Sequence, residues 1–233
     1  MFVLAVAISP AIALIIYFYH KDKYEKEPLA LLAKAFLAGA GMVFLAMVLE
    51  LTIDLAIVQP IKDFFLNIFL SSFLVAGLVE EGFKFLVFKR LIYDNKEFDE
   101  PYDGIMYAVM ISLGFATIEN IMYVAISHFK LGICGTLMCG SSRAMSAIPA
   151  HAFFAVIMGY YLGLAKFCGD RERQREYVHK ALGFAVLTHG LYDFFILSRT
   201  SAGVIYFFLL MIFCWTFCLR AVRIQVEKSK FKD

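Results

Sequence analysis

Glu80 and Glu81 are adjacent, and Lys84 follows within one helical turn, inside the run Phe64 to Phe88 that is otherwise almost wholly apolar. At about 100° per residue, Gly77, Glu80, Glu81 and Lys84 fall within an arc of roughly 100° on one helix face. Lys84 then projects between the two carboxylates and helps keep them ionised. Such a set suits a general base, and it suits equally well an ion pair that joins two helices. Farther along the chain stand Glu119 and Asn120, then Arg143 and His151, then His189 and Asp193. Glu119 shares a face with Ser112, Phe115 and Tyr123, while Asn120 points about 100° away towards a different neighbour. His189 and Asp193, four residues apart, share a face as well. Carboxylates and imidazoles in this number are the groups of acid/base chemistry, and they are also metal donors.

These groups sit in an apolar chain. The 233 residues are 61% hydrophobic and 18% charged, with a mean hydropathy of +0.74. That composition describes a polytopic membrane protein with one compact bundle and little material for a water-soluble domain. An ionisable side chain at hydrocarbon depth costs at least a few kcal/mol on insertion scales, so several of them together mark a functional site by default.

Apolar runs of about 20 residues predict seven spanning helices. They lie near Phe2 to Tyr19, Pro28 to Leu51, Phe64 to Phe88, Gly104 to Ser127, Ala144 to Phe167, Val178 to Leu197 and Gly203 to Leu219. The first run lacks a basic start and a small-residue cleavage pattern, so it is expected to persist as a helix. Sixteen Lys and Arg residues cluster after the first, third, fifth and seventh runs, against four (Lys62, Lys130, Arg143, Arg199) in the alternate connections. The positive-inside rule then places the N-terminus outside and the C-terminus in the cytosol. Cys134 and Cys139 share an outer connection where a disulfide could form, and no zinc-type cysteine spacing occurs.

The helices that carry the polar groups are the third to the sixth. Asp103 is placed to cap the fourth run and Pro101 to set its entry turn. Pro149 weakens the ladder two residues before His151, and Gly190 allows close helix approach beside His189. Lys34, Glu50 and Asp54 lie near the ends of their runs, where Lys34 can snorkel and the two acids can reach the outer interface. A helix entering the membrane at Phe64 would put Glu80 about 24 Å down, whereas Glu119 lies about 12 Å from the outer end of its own run. A shared site therefore predicts that the third span begins near Ser71 or Ser72 and extends to Tyr93, with Ile61 to Leu70 at the interface.

The ordered set Glu80-Glu81-x-x-Lys84, Pro101-x-Asp103-Gly104, Phe115-x-x-x-Glu119-Asn120, Arg143, His151 and His189 resembles the PrsW family of intramembrane proteases. The likeness covers about Val79 to Asp193. It is more distantly similar to the CAAX-protease and bacteriocin-processing superfamily, from which it departs at Lys84, Glu119 and Asp193, where that group usually has Arg one residue later, His and Asn. The resemblance implies a multi-pass protein of the bacterial plasma membrane that makes the first, site-1 cut in a single-span anti-sigma factor on the outer side of the membrane, a stress sigma factor being released after further proteolysis. Its core would run from about residue 64 to 198 within one protease domain, 1–233. In that reading Glu80 or Glu81 is the general base, His151 and His189 stabilise the oxyanion or protonate the leaving amine, and Glu119 is their electrostatic partner. Lys84, Asn120, Arg143 and Asp193 support them, and no cofactor is required.

Three alternatives use the same residues. One is a zinc protease with Glu119, His151 and His189 as ligands, although the absence of His-Glu-x-x-His excludes a standard zincin. Another is a proton-coupled transporter, which internal repeats or paired broken helices would favour and which this sequence does not show. The last is a non-catalytic protein that binds a partner helix. Neither Gly-x-Ser-Gly nor Gly-x-Gly-Asp occurs, so rhomboid-like and presenilin-like chemistry is not expected.

Overall fold

A computed structural model describes residues 1–231; Lys232 of the C-terminal basic cluster lies outside the described residues. The described residues form helices joined by short connections, with no strand among them: α1 (Phe2–Lys21), α2 (Leu29–Ile53), α3 (Phe64–Leu70), α4 (Val79–Leu91), α5 (Pro101–Met145), α6 (Ala147–Phe167), α7 (Arg171–Leu197) and α8 (Ser201–Glu227). Among the described residues, six helical stretches are long and apolar enough to cross a membrane, and one of them, Pro101–Phe167, contains both the fourth and the fifth expected spans. All five cysteines are free, so the Cys134 to Cys139 disulfide is not formed.

The expected boundary at Ser71 is not found: no break separates residues 64–70 from the third span. α3 and α4 are joined by a π-helical stretch, Ser71–Leu78, and the chain stays helical from Phe64 to Leu91. What changes at Ser71 is the winding. The depth mismatch closes from the other side, because the first arm of α5 does not end at Ser127 but runs on to a kink at Gly132, where φ is 62°. Thirteen residues at helical rise place Glu119 about 20 Å from that kink, close to the depth of Glu80. Beyond it, residues 133–145 fold back on the first arm, where the Ser127 hydroxyl donates to Gly135 O at 2.9 Å.

α5 and α6 form the centre of the bundle, and their approach depends on small residues. A Cβ on Gly159 would lie 2.2 Å from the carbonyl oxygen of Gly104, and one on Gly104 would lie 2.5 Å from that of Gly159. In a bilayer such contact surfaces hold helices together by van der Waals packing. Gly159→Leu is expected to cost about 1–3 kcal/mol by overpacking; a detergent-solubilised variant that melts at the wild-type temperature would refute the close-contact role. At the entry to α5, Asp103 accepts from the backbone N–H groups of Glu100 at 2.7 Å and Asp99 at 2.9 Å. Glu100 therefore holds the N-cap position, and Asp103 acts from the first turn.

Candidate active site

Lys84 is the hub. Its ammonium has three protons to give, and it stands 3.1 Å from Glu80 Oε2, 2.7 Å from Glu81 Oε1 and 3.1 Å from Nδ1 of His151. It also lies 4.5 Å above the ring of Phe115. An ammonium only donates, so His151 accepts at Nδ1 and presents Nε2–H to Glu119 Oε2, 2.9 Å away. The helix pattern that places Glu80, Glu81 and Lys84 on one face is thus completed by α6, which brings His151, and by α5, which brings Glu119.

The second histidine is fixed on the far side of the pair. His189 Nδ1 lies 3.0 Å from Glu81 Oε1 and Nε2 lies 3.4 Å from Asp193, while the ring stacks on Phe154 at 4.9 Å. The two imidazoles are edge to face, with centroids 5.6 Å apart. The return segment of α5 delivers Arg143. Its Nε donates to Asn120 Oδ1 at 2.7 Å, and its guanidinium pairs with Glu119 at 3.1 Å. Asn120 in turn donates to the carbonyl of Ala7 on α1 at 2.7 Å, which answers the expectation that it faces a different neighbour from Glu119.

A cavity of about 550 Å³ opens onto this network, and its wall includes Glu80, Glu119, Arg143, His151, His189 and Asp193. The two glutamates differ here. Glu80 keeps 10% of its side-chain surface exposed, whereas Glu81 keeps none. Glu80 therefore faces the cavity, and Glu81 anchors Lys84 and His189 behind it. Oε2 of Glu81 is buried without a hydrogen-bond partner.

Glu50 also lines the cavity, with a buried Oε1 that finds no partner. A second apolar run that ended at Leu51 would leave this residue at the outer interface. Helical winding in fact continues through a π stretch, Asp54–Val58, which sets Glu50 about 12 Å below the end of its helix. The signal that could have found it is an acid with no basic residue nearby, in a run that, apart from Thr52 and Asp54, stays apolar as far as Val58.

Whether a metal fits can be judged from the donors. Among the described residues, Glu80, Glu81 and His151 form a trio with one ligand atom each, all within 4.8 Å of one another. Carboxylate and imidazole are sound zinc ligands, but zinc requires a shared point about 2.0–2.2 Å from each. The ammonium of Lys84 takes that point here, so these donors do not fit a metal as they are arranged. Glu119, His151 and His189, the ligands of the zinc alternative, do not form such a cluster among the described residues. His189 turns its two nitrogens to Glu81 and Asp193 instead.

A multi-helix membrane bundle with acid/base groups around a cavity fits an intramembrane hydrolase, and comparison with known proteins makes the class specific. Residues 27–218 match the family described as "PrsW family intramembrane metalloprotease". "Protease PrsW" of Bacillus subtilis is 37% identical over 221 residues, covering 95% of this chain and 94% of that protein. "Protease PrsW" of Geobacillus kaustophilus is 36% identical over 222 residues (94% and 90%), and that of Clostridioides difficile 36% over 224 residues (96% and 91%). No solved structure matches. This chain belongs to the PrsW family of intramembrane proteases. It is a peptidase and a multi-pass protein of the bacterial plasma membrane.

Proposed function

We propose that this protease makes the first cut in a single-span anti-sigma factor, with Glu80 as the general base. The observation that carries the reading is the cavity, onto which Glu80, His151 and His189 all open while Glu81 stays behind them. In this reading the N-terminus is outside, the C-terminus is cytosolic and the cut falls on the outer side of the membrane.

In the proposed reaction Glu80 takes a proton from a water in the cavity, and the hydroxide oxygen bonds to the carbonyl carbon of the scissile peptide. The carbonyl π electrons move to oxygen, where the Arg143 guanidinium on the cavity wall stabilises the charge. The proton held by Glu80 then passes to the leaving nitrogen as the C–N bond breaks, and the carboxylate is restored. Lys84 holds Glu80 in register and neutralises its charge between turnovers. Glu119 fixes His151 through Nε2, and Asp193 fixes His189.

The test is co-expression with a candidate anti-sigma factor, with cleavage followed by the loss of its intact form. Cleavage is expected to continue in purified enzyme after exhaustive chelation, because Lys84 takes the cation's place between the glutamates. One zinc per chain, whose removal abolishes cleavage and whose return restores it, would overturn the metal-free mechanism and leave a metal-dependent one. Coupled proton flux in vesicles with no cleavage of any anti-sigma factor would instead favour the transporter reading.

A further inference from the structure

Away from the catalytic cavity, a groove of about 470 Å³ runs between α2 and α4, with Lys34 and Arg90 among the residues that line it. We propose that it is a binding site for one anionic phospholipid of the leaflet at the basic end of the bundle. Its phosphate would lie between Lys34 and Arg90, and an acyl chain would follow Ala38, Met42, Leu45, Phe83 and Leu86.

Three observations carry this. First, the two cations sit at the same end of the groove: Lys34 is five residues from the start of α2 and Arg90 is one residue from the end of α4, in helices that run in opposite directions. That end also carries Lys21 and Lys89. Second, both cations are exposed, and neither enters an ion pair among the described residues, where the Lys and Arg pairs involve Lys84, Lys96, Arg143, Lys180, Arg223 and Lys230. Two unpaired cations beside an apolar channel complement a phosphodiester joined to a hydrocarbon tail, and basic pockets between helices at the cytoplasmic side are known to hold such head groups. Third, the length fits one leaflet. Eleven residues of helix separate Lys34 from Leu45, about 16 Å, which is roughly half the thickness of the hydrocarbon core.

The groove is joined to the catalytic helix. Met42 and Phe83 line it on one side and pack on the other against the buried cluster of Val43, Val79 and Phe115, which lies beside Glu80. A bound chain would therefore brace the α4 turn that carries the glutamates.

Native mass spectrometry of the full chain released from nanodiscs tests the proposal, using phosphatidylglycerol mixed with phosphatidylcholine. The wild type is expected to retain one phosphatidylglycerol in preference to phosphatidylcholine. Lys34→Gln with Arg90→Gln should lower that preference by at least about fivefold, since each cation near an anionic lipid contributes on the order of that factor. Ala38→Phe, which fills the groove and leaves both cations in place, should lower retention as well. The Lys34→Gln, Arg90→Gln variant should melt like wild type in pure phosphatidylcholine, because both altered side chains are exposed. Equal retention of the two lipids by the wild type, or retention unchanged in the variants, would overturn the proposal. So would photo-crosslinking from position 86 that captures a co-expressed substrate helix in place of lipid.

Discussion

Glu80→Gln is expected to lower the rate of cleavage by about a hundredfold to ten-thousandfold, the range in which a positioned general base contributes, while the protein keeps its fold and still binds its substrate. The substitution is nearly isosteric, and Lys84 keeps its contacts with Glu81 and His151. Cleavage within tenfold of wild type would end the case for Glu80 as the base. The neighbouring change separates chemistry from architecture. Glu81 is fully buried and accepts from both Lys84 and His189, so Glu81→Gln should lose activity together with thermal stability. If the two variants behave in the opposite way, with Glu80→Gln unstable and Glu81→Gln stable but inactive, the base is Glu81.

This contrast is what the structure adds to a sequence in which the two glutamates are equivalent neighbours. Helical spacing alone assigns Lys84 to both carboxylates and joins His189 to Asp193, because those contacts lie within one turn of one helix. It also identifies Glu119, His151 and His189 as a set once they are seen to occupy successive spans. It does not show how the spans register against one another. That depends on the π stretch before Glu80, which has no signature in hydrophobic periodicity, and on the kink at Gly132, which lies in a stretch that reads as an ordinary outer connection. The return segment beyond Gly132 turns Arg143 from a residue near a helix end into the partner of Glu119 and Asn120. The same kind of error hides Glu50, since a span closed at Leu51 leaves it at the surface while the continued winding to Val58 draws it into the cavity.

The largest effect on stability is expected at Lys84. Lys84→Met keeps the length and bulk of the side chain and removes its charge, leaving Glu80 and Glu81 side by side in a buried site with no ammonium between them. Breaking a buried ion pair from one side costs roughly 3–5 kcal/mol, because the stranded charge has lost its partner and cannot regain water. At about 2–4 °C per kcal/mol for a chain of this size, melting in detergent should fall by roughly 6–20 °C, and cleavage should be lost with it. Removing the charges from both sides tests the cause. The triple variant Glu80→Gln, Glu81→Gln, Lys84→Met strands no charge, so it should recover most of the lost stability while remaining inactive. A Lys84→Met protein as stable as wild type would mean that the glutamates do not depend on the ammonium. A triple variant as unstable as the single one would mean that Lys84 acts through packing on Phe115, 4.5 Å from its nitrogen, and not through charge.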